Sequence, residues 1–232
     1  MSDSVLTGNI ILIGPPGIGK TLFCETNLIN CLNSGNNSLY IALESDPNEI
    51  NARLFDPEEN FKQEGSLVFI DGYSWLVGGS DEKYTLNSLS NLSDLSVKII
   101  SASTALNHNL LFIFDSISTL LIYNSENEVE RFLGINMARM KHFNNVGFWI
   151  LEEGIHSNRF YNVLRQRSDC VLEMRFEEQG ELTRAIRMHT CKTNEHETRW
   201  FPFHIVDGRF MYQNNQREND LYAPSSLIMK NS

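Results

Sequence analysis

The chain has 232 residues, 41% of them hydrophobic and 21% charged, enough apolar mass for one large α/β domain or a tight pair. A net charge of −10 and a pI of about 5.1 argue against a broad DNA- or RNA-binding face, without excluding a local basic channel made by assembly. The cysteines Cys24, Cys31, Cys170 and Cys191 form no C-x-x-C pair and suggest no disulfide framework. A reducing, cytoplasmic setting is expected, with no membrane span: no basic leader opens the chain, and the most apolar stretch, Leu110 to Tyr123, is short and broken by Asp115 and serines.

In chain order, Asn9 to Ile13 is an apolar run of buried-strand length. Gly14-Pro15-Pro16-Gly17-Ile18-Gly19-Lys20-Thr21 follows, and Leu22 to Leu32 can be helical. Strand, glycine loop and helix are the context of a phosphate-binding loop, G-x-x-x-x-G-K-[ST]. Its glycines let backbone N–H groups wrap an anion, and the helix adds its positive end. Gly14 to Leu22 are therefore the candidate nucleotide contacts. Lys20 is assigned to the β- and γ-phosphates, and the Thr21 hydroxyl to Mg2+.

Ser38 to Leu43 reads as a second strand, with Pro47 opening a helix to about Phe55. Leu67 to Ile70 is a third strand. Gly72 to Tyr84 is a glycine- and serine-rich loop whose Tyr73 and Trp75 either contact a partner or pack down. Leu86 to Leu106 has loose helical spacing at Leu89, Leu92, Val97 and Ile100. Leu110 to Phe114 is a buried strand ending at Asp115, where an open parallel sheet binds its ligand. Beside a phosphate loop this is the place of a Walker B aspartate for Mg2+; the plain alternative is an Asp that starts a turn. Glu44, ending the second strand, falls in the same crevice, either as a base for the attacking water or as a solvated strand end.

Glu126 to Phe143 is an amphipathic helix with Val129, Phe132, Leu133, Met137 and Met140 inward, and Val146 to Leu151 is the next strand. Beyond Asp169 the pattern turns to hairpins: Cys170 to Phe176, a polar bend at Glu177 to Glu181, Leu182 to His189, Trp200 to Ile205 and Arg209 to Tyr212. The fold class is thus α/β, a P-loop core with a parallel central sheet and a C-terminal antiparallel hairpin extension. Residues 1–212 form the domain, and 213–232 a polar tail that is a candidate for disorder. His189, Cys191 and His196 match no zinc spacing.

These pieces resemble the single-domain archaeal KaiC-like ATPases of the RecA superfamily, through GPPGIGKT, LYIALESDPNEI, VFIDGYSW, LLFIFDS, ELTRAIRM and WFPFHIVDGRF. The resemblance runs from Asn9 to Tyr212 and implies that Glu44 activates water. Departures accompany it. The first strand starts almost at once, without the upstream segment usual in the family, and Ser45 stands where many members have a second glutamate. The family's Lys-x-Arg finger, which reaches the neighbouring subunit's γ-phosphate, becomes Thr190-Cys191-Lys192, and lysine lacks the arginine fork. Glu152-Glu153 stands where relatives carry a polar sensor, and negative charge there opposes a γ-phosphate unless Mg2+ or a lysine offsets it.

The expected activity is slow hydrolysis of Mg-ATP to ADP in signalling or regulation. Its expected setting is a homo-oligomer, with a hexamer as the favoured ring, and a regulatory protein partner is an option. The alternative is an ATP-binding module without turnover, like the archaellum motor regulator, that switches assembly or partner binding.

Overall fold

The computed structural model describes residues 7–55, 64–79, 83–179, 181–193 and 195–212; the polar tail from 213 lies outside them. The strands are β1 (Asn9–Gly14), β2 (Ser38–Ala42), β3 (Leu67–Asp71), β4 (Leu111–Asp115), β5 (Val146–Glu152), β6 (Cys170–Gln179), β7 (Glu181–Cys191), β8 (Phe201–Val206) and β9 (Arg209–Tyr212). The helices are α1 (Lys20–Asn33), α2 (Pro47–Leu54), α3 (Leu92–Ala105), α4 (Ile117–Tyr123), α5 (Glu126–His142) and α6 (Asn158–Arg167).

All the strands join one sheet in the order β3-β2-β4-β5-β1-β6-β7-β8-β9. Pairing is parallel from β3 across to β6 and antiparallel from β6 to β9. Residues alternate between the two faces of each strand, so the sheet has two cores. Ile11, Ile41, Phe112, Phe114 and Trp149 face α3 to α6. Ile10, Leu12, Tyr40, Ile113 and Phe148 face α1, α2 and the aromatics Phe203 and Phe210 of the extension.

α5 follows the expected stripe: Val129, Phe132, Leu133, Met137 and Met140 are all buried. Its start is set by a capping box, in which Ser125 and Glu128 each accept from the other's backbone N–H. α3 corrects the sequence reading. It begins at Leu92, and its buried stripe is Leu95, Ile99 and Ala102, while Val97 and Ile100 are 59% and 37% exposed. Val97 lies two residues past Leu95, which carries it to the other side of the helix. The periodicity also passed over α4, hidden in an apolar stretch, and α6, whose N-cap Ser157 accepts from the Phe160 amide. The bend expected at Glu177 to Glu181 is far tighter: β6 runs to Gln179 and β7 starts at Glu181.

The cysteine reading also needs correction. Cys170 and Cys191 face each other across the β6–β7 ladder and are disulfide-bonded. Spacing could not reveal the pair, because strand pairing across 21 residues of sequence creates it. Cys24 and Cys31 are buried and free, as expected of small apolar residues on α1. Trp75 packs down: its Nε1–H donates to the Gly72 carbonyl at 3.0 Å, and its ring meets Tyr123 edge-on at 5.8 Å. No helix among the described residues is long and apolar enough to cross a membrane.

Candidate functional site

The candidate residues gather at the carboxyl ends of β1, β2, β4 and β5, where a parallel sheet opens its crevice. Gly14 ends β1, and Gly17 and Gly19 hold φ of 71° and 112°, values that side chains rarely adopt. The loop is also packed from behind. A Cβ at Gly14 would meet the Met174 carbonyl at 2.9 Å, and one at Gly19 would meet Ile205 Cδ1 at 3.0 Å. So the antiparallel extension supports the loop's back. No side chain caps α1, whose N-cap is Gly19, and its first amides are left for an anion.

Lys20 is buried, and its ammonium donates to the carbonyls of Gly14 at 2.9 Å and Pro15 at 2.8 Å. Its third partner is Glu152 Oε1 at 2.9 Å. The Thr21 hydroxyl donates to Asp115 Oδ2 at 3.0 Å, and the Tyr40 hydroxyl donates to the same oxygen at 2.9 Å. Asp115 Oδ1 is buried with no hydrogen-bond partner among the described residues. Burial, and then the charge of Glu44, push the Asp115 carboxyl up to about 7, against the hydrogen bonds from Tyr40 and Thr21. A carboxylate oxygen left unpaired beside a threonine hydroxyl is a hard-oxygen donor set that suits Mg2+.

Glu44 stands next to Asp115, since Ala42 pairs with Asp115 and the Leu43 amide donates to the Asp115 carbonyl at 2.9 Å. The Ser116 hydroxyl and the Thr119 hydroxyl, at 2.6 Å, both donate to Glu44 Oε1. The exposed Glu44 carboxylate is thus oriented rather than loose. The Asp115–Ser116 peptide bond is cis.

Lys192 falls elsewhere. It follows Cys191, which pairs with Cys170, and Cys170 lies beside Ile10 at the start of β1. Ile10 and Gly14 are separated by about four residues of strand, roughly 13 Å. The Lys192 ammonium donates to the carbonyls of Gln166 and Ser168, each at 2.6 Å. Lys20, Thr21, Glu44 and Asp115 come together; Lys192 does not join them within one chain.

The sequence pointed to none of the supporting groups Tyr40, Ser116 and Thr119. Tyr40 reads as a core strand residue, and only the β2–β4 pairing turns its hydroxyl onto Asp115. Nor did it point to Arg53 and Arg209. With Leu22, Glu25, Thr26 and Asp207 they line a cleft of about 240 Å3 beside the start of α1. There Arg53 pairs with the buried Glu25 at 2.7 Å, and burial pushes the Glu25 carboxyl up.

A family model described as "ATPase: KaiC" matches residues 3–213. A UPF0273 protein of Thermotoga maritima is 25% identical over 222 residues, covering 88% of this chain and 89% of the relative. One of Pyrococcus horikoshii is 23% identical over 219 residues, covering 88% and 87%. A KaiC-like protein of Pyrococcus horikoshii OT3 has a solved structure that matches with a TM-score of 0.70 at 18% identity, covering 89% of this chain and 90% of that one. With a strand, glycine loop and helix at the candidate site and a family match over nearly its whole length, the chain belongs to the KaiC ATPase family as a single-domain, RecA-superfamily protein.

Proposed function

We propose that this protein binds Mg-ATP on the loop from Gly14 to Leu22 and hydrolyses it slowly, in a signalling or regulatory role. The observation that carries the reading is the Thr21–Asp115 pair at 3.0 Å with Lys20 buried at the same strand ends. The α1 amides and Lys20 hold the phosphates. Thr21 Oγ1 and Asp115 would hold Mg2+, whose chemistry there is to neutralise charge on the phosphate oxygens. The cleft at Leu22, Arg53 and Arg209 adjoins the loop and suits the nucleoside end. Glu44, with Oε1 fixed by Ser116 and Thr119, orients the attacking water and takes its proton. Such positioning supplies most of the catalysis in phosphoryl transfer.

Lys192 sits on the far end of its own sheet, so it serves the site only from a neighbouring subunit, in a ring for which a hexamer is favoured. It must first leave the Gln166 and Ser168 carbonyls, which fits weak trans activation. That tether, with the Lys20–Glu152 ion pair, favours the second reading of a non-hydrolysing switch whose assembly responds to ATP.

Phosphate release with Mg2+, comparing wild type with Glu44→Gln, separates the two, with sizing run in ATP and without nucleotide. Turnover should fall about 100-fold or more in the variant while binding is retained, the usual scale for a lost general base. Unchanged turnover removes Glu44 from the role. Binding and ATP-dependent assembly without turnover select the switch.

A further inference from the structure

Glu152 forms an ion pair with Lys20 of the glycine loop at 2.9 Å, and the hydrolysis reading gives it no task. β5 lies between β4 and β1, and its last residue, Glu152, pairs with Gly14. Its backbone is fixed from three sides. The Glu152 amide donates to Ser118 Oγ at 2.9 Å, the Tyr161 hydroxyl donates to its carbonyl at 2.7 Å, and the next amide, of Glu153, donates to the Gly14 carbonyl at 3.0 Å. Ser118 is held in turn by His156 Nε2 at 2.8 Å. A solvated strand-end glutamate would need none of this.

The carboxylate does not point to solvent: its side chain is 19% exposed, against 4% for that of Lys20. Oε1 takes the ammonium of Lys20, and Oε2 is buried without a hydrogen bond from any described residue. Together with the Gly14 and Pro15 carbonyls, Oε1 gives all the N–H bonds of the ammonium a partner. A phosphate can reach Lys20 only by displacing one of them. Whichever partner gives way, the Glu152 carboxylate stays tethered by its fixed backbone at the phosphate end of the loop, as a like charge in a poorly screened place.

Resting on the Mg-ATP reading, we propose that Glu152 is a specificity-determining carboxylate: it competes with the γ-phosphate for the Lys20 ammonium and so narrows the preference of the site for triphosphate over diphosphate. Both nucleotides share Lys20 with Glu152, and the one that brings more negative charge to the end of β5 meets more repulsion. Glu152 thereby holds ATP affinity down and brings it nearer that of ADP.

Calorimetric titration of wild type, Glu152→Gln, Glu152→Ser and Lys20→Ala with Mg2+ and either ADP or a non-hydrolysable ATP analogue tests this. Glu152→Gln keeps the shape and can still accept from Lys20, but removes the charge. It should tighten the triphosphate about tenfold or more, the effect of one poorly screened like charge, and ADP by clearly less. Glu152→Ser should move the ratio the same way, which covers misfolding of either variant. Equal changes for both nucleotides, as a merely structural role would give, or weaker triphosphate binding would overturn the inference. The ATP-binding reading would still stand if wild type binds and Lys20→Ala does not. Absence of binding in every variant would overturn both.

Discussion

The parallel half of the sheet and its antiparallel extension solve different problems. In the parallel half the strands are buried on both faces and are nearly unbroken apolar runs, such as Ile10 to Ile13 and Phe112 to Phe114. In β1 to β5 charge enters only at or just past the strand ends, at Glu44, Asp71, Asp115 and Glu152, and three of these are the carboxylates of the candidate site. In the extension one face packs into the core through Met174, Ile186 and Phe203. Its other face is a paired polar surface: Glu173 accepts from both Arg165 and Arg187, and the guanidiniums of Arg175 and Arg187 both pack on the Trp200 ring. The candidate site belongs to the first region; the second backs its glycine loop through Met174 and Ile205.

The most damaging way to break that division is at the aromatic chain joining the regions. Phe203 stacks on Phe210 at 4.4 Å, Phe210 meets Phe23 at 5.1 Å, and Phe23 meets Phe148 at 5.6 Å. Phe203→Ala should cost about 3–5 kcal/mol in denaturant unfolding, the usual loss for a fully buried phenylalanine. It should weaken nucleotide binding too, because Gly19 loses its backing. A stable Phe203→Ala protein with normal binding would show the extension to be an independent appendage.

Asp115 offers a sharper test in the parallel half. Its carboxyl titrates at about 7 in the folded protein against the ordinary 3.8. Between those values the folded state keeps a proton that the unfolded chain releases, so this group's contribution to stability falls as pH rises from about 4 to 7. With divalent metals chelated, Asp115→Asn should therefore be more stable than wild type at pH 8, by a few kcal/mol at about 1.4 kcal/mol per pKa unit. The gap should close below pH 4. Asn Oδ1 can still accept from Tyr40 and Thr21, so the difference reports the charge. Thermal melts of both proteins across pH would expose an error: a variant less stable at pH 8 would mean that the carboxylate is not strained.

The smallest effect belongs on the outer face of the extension. Trp200→Ala removes stacking on guanidiniums whose Cζ atoms lie 4.0 and 4.5 Å from the ring centroid. About 1 kcal/mol should be lost, with nucleotide affinity unchanged. A change in affinity would mean that this face communicates with the loop.

The local signals were legible wherever a pattern of neighbouring residues carried them. The glycine loop, the strand ending at Asp115 and the stripe of α5 all lie within short windows and recur in the structure as read. α3 misled because its loose apolar spacing fitted more than one helical face, and only packing chose Leu95, Ile99 and Ala102. The Cys170–Cys191 bond, the Tyr40 hydroxyl on Asp115 and the pairing of Lys20 with Glu152 all join residues far apart in the chain. No window of sequence contains them.

By itself, then, the sequence determined that this protein has a glycine loop between a strand and a helix on a parallel α/β core, and which acidic strand ends lie beside it. Such motifs are local because backbone conformation and helix starts are set by near neighbours. Tertiary structure alone decided which carboxylate took which partner. It placed Asp115 with Thr21 and Tyr40, Glu44 with Ser116 and Thr119, and Glu152 with Lys20, and it sent Lys192 to the far end of the sheet. The reason is strand order: a charge at the end of a strand meets whatever the adjacent strand brings, and adjacency is a property of the whole sheet.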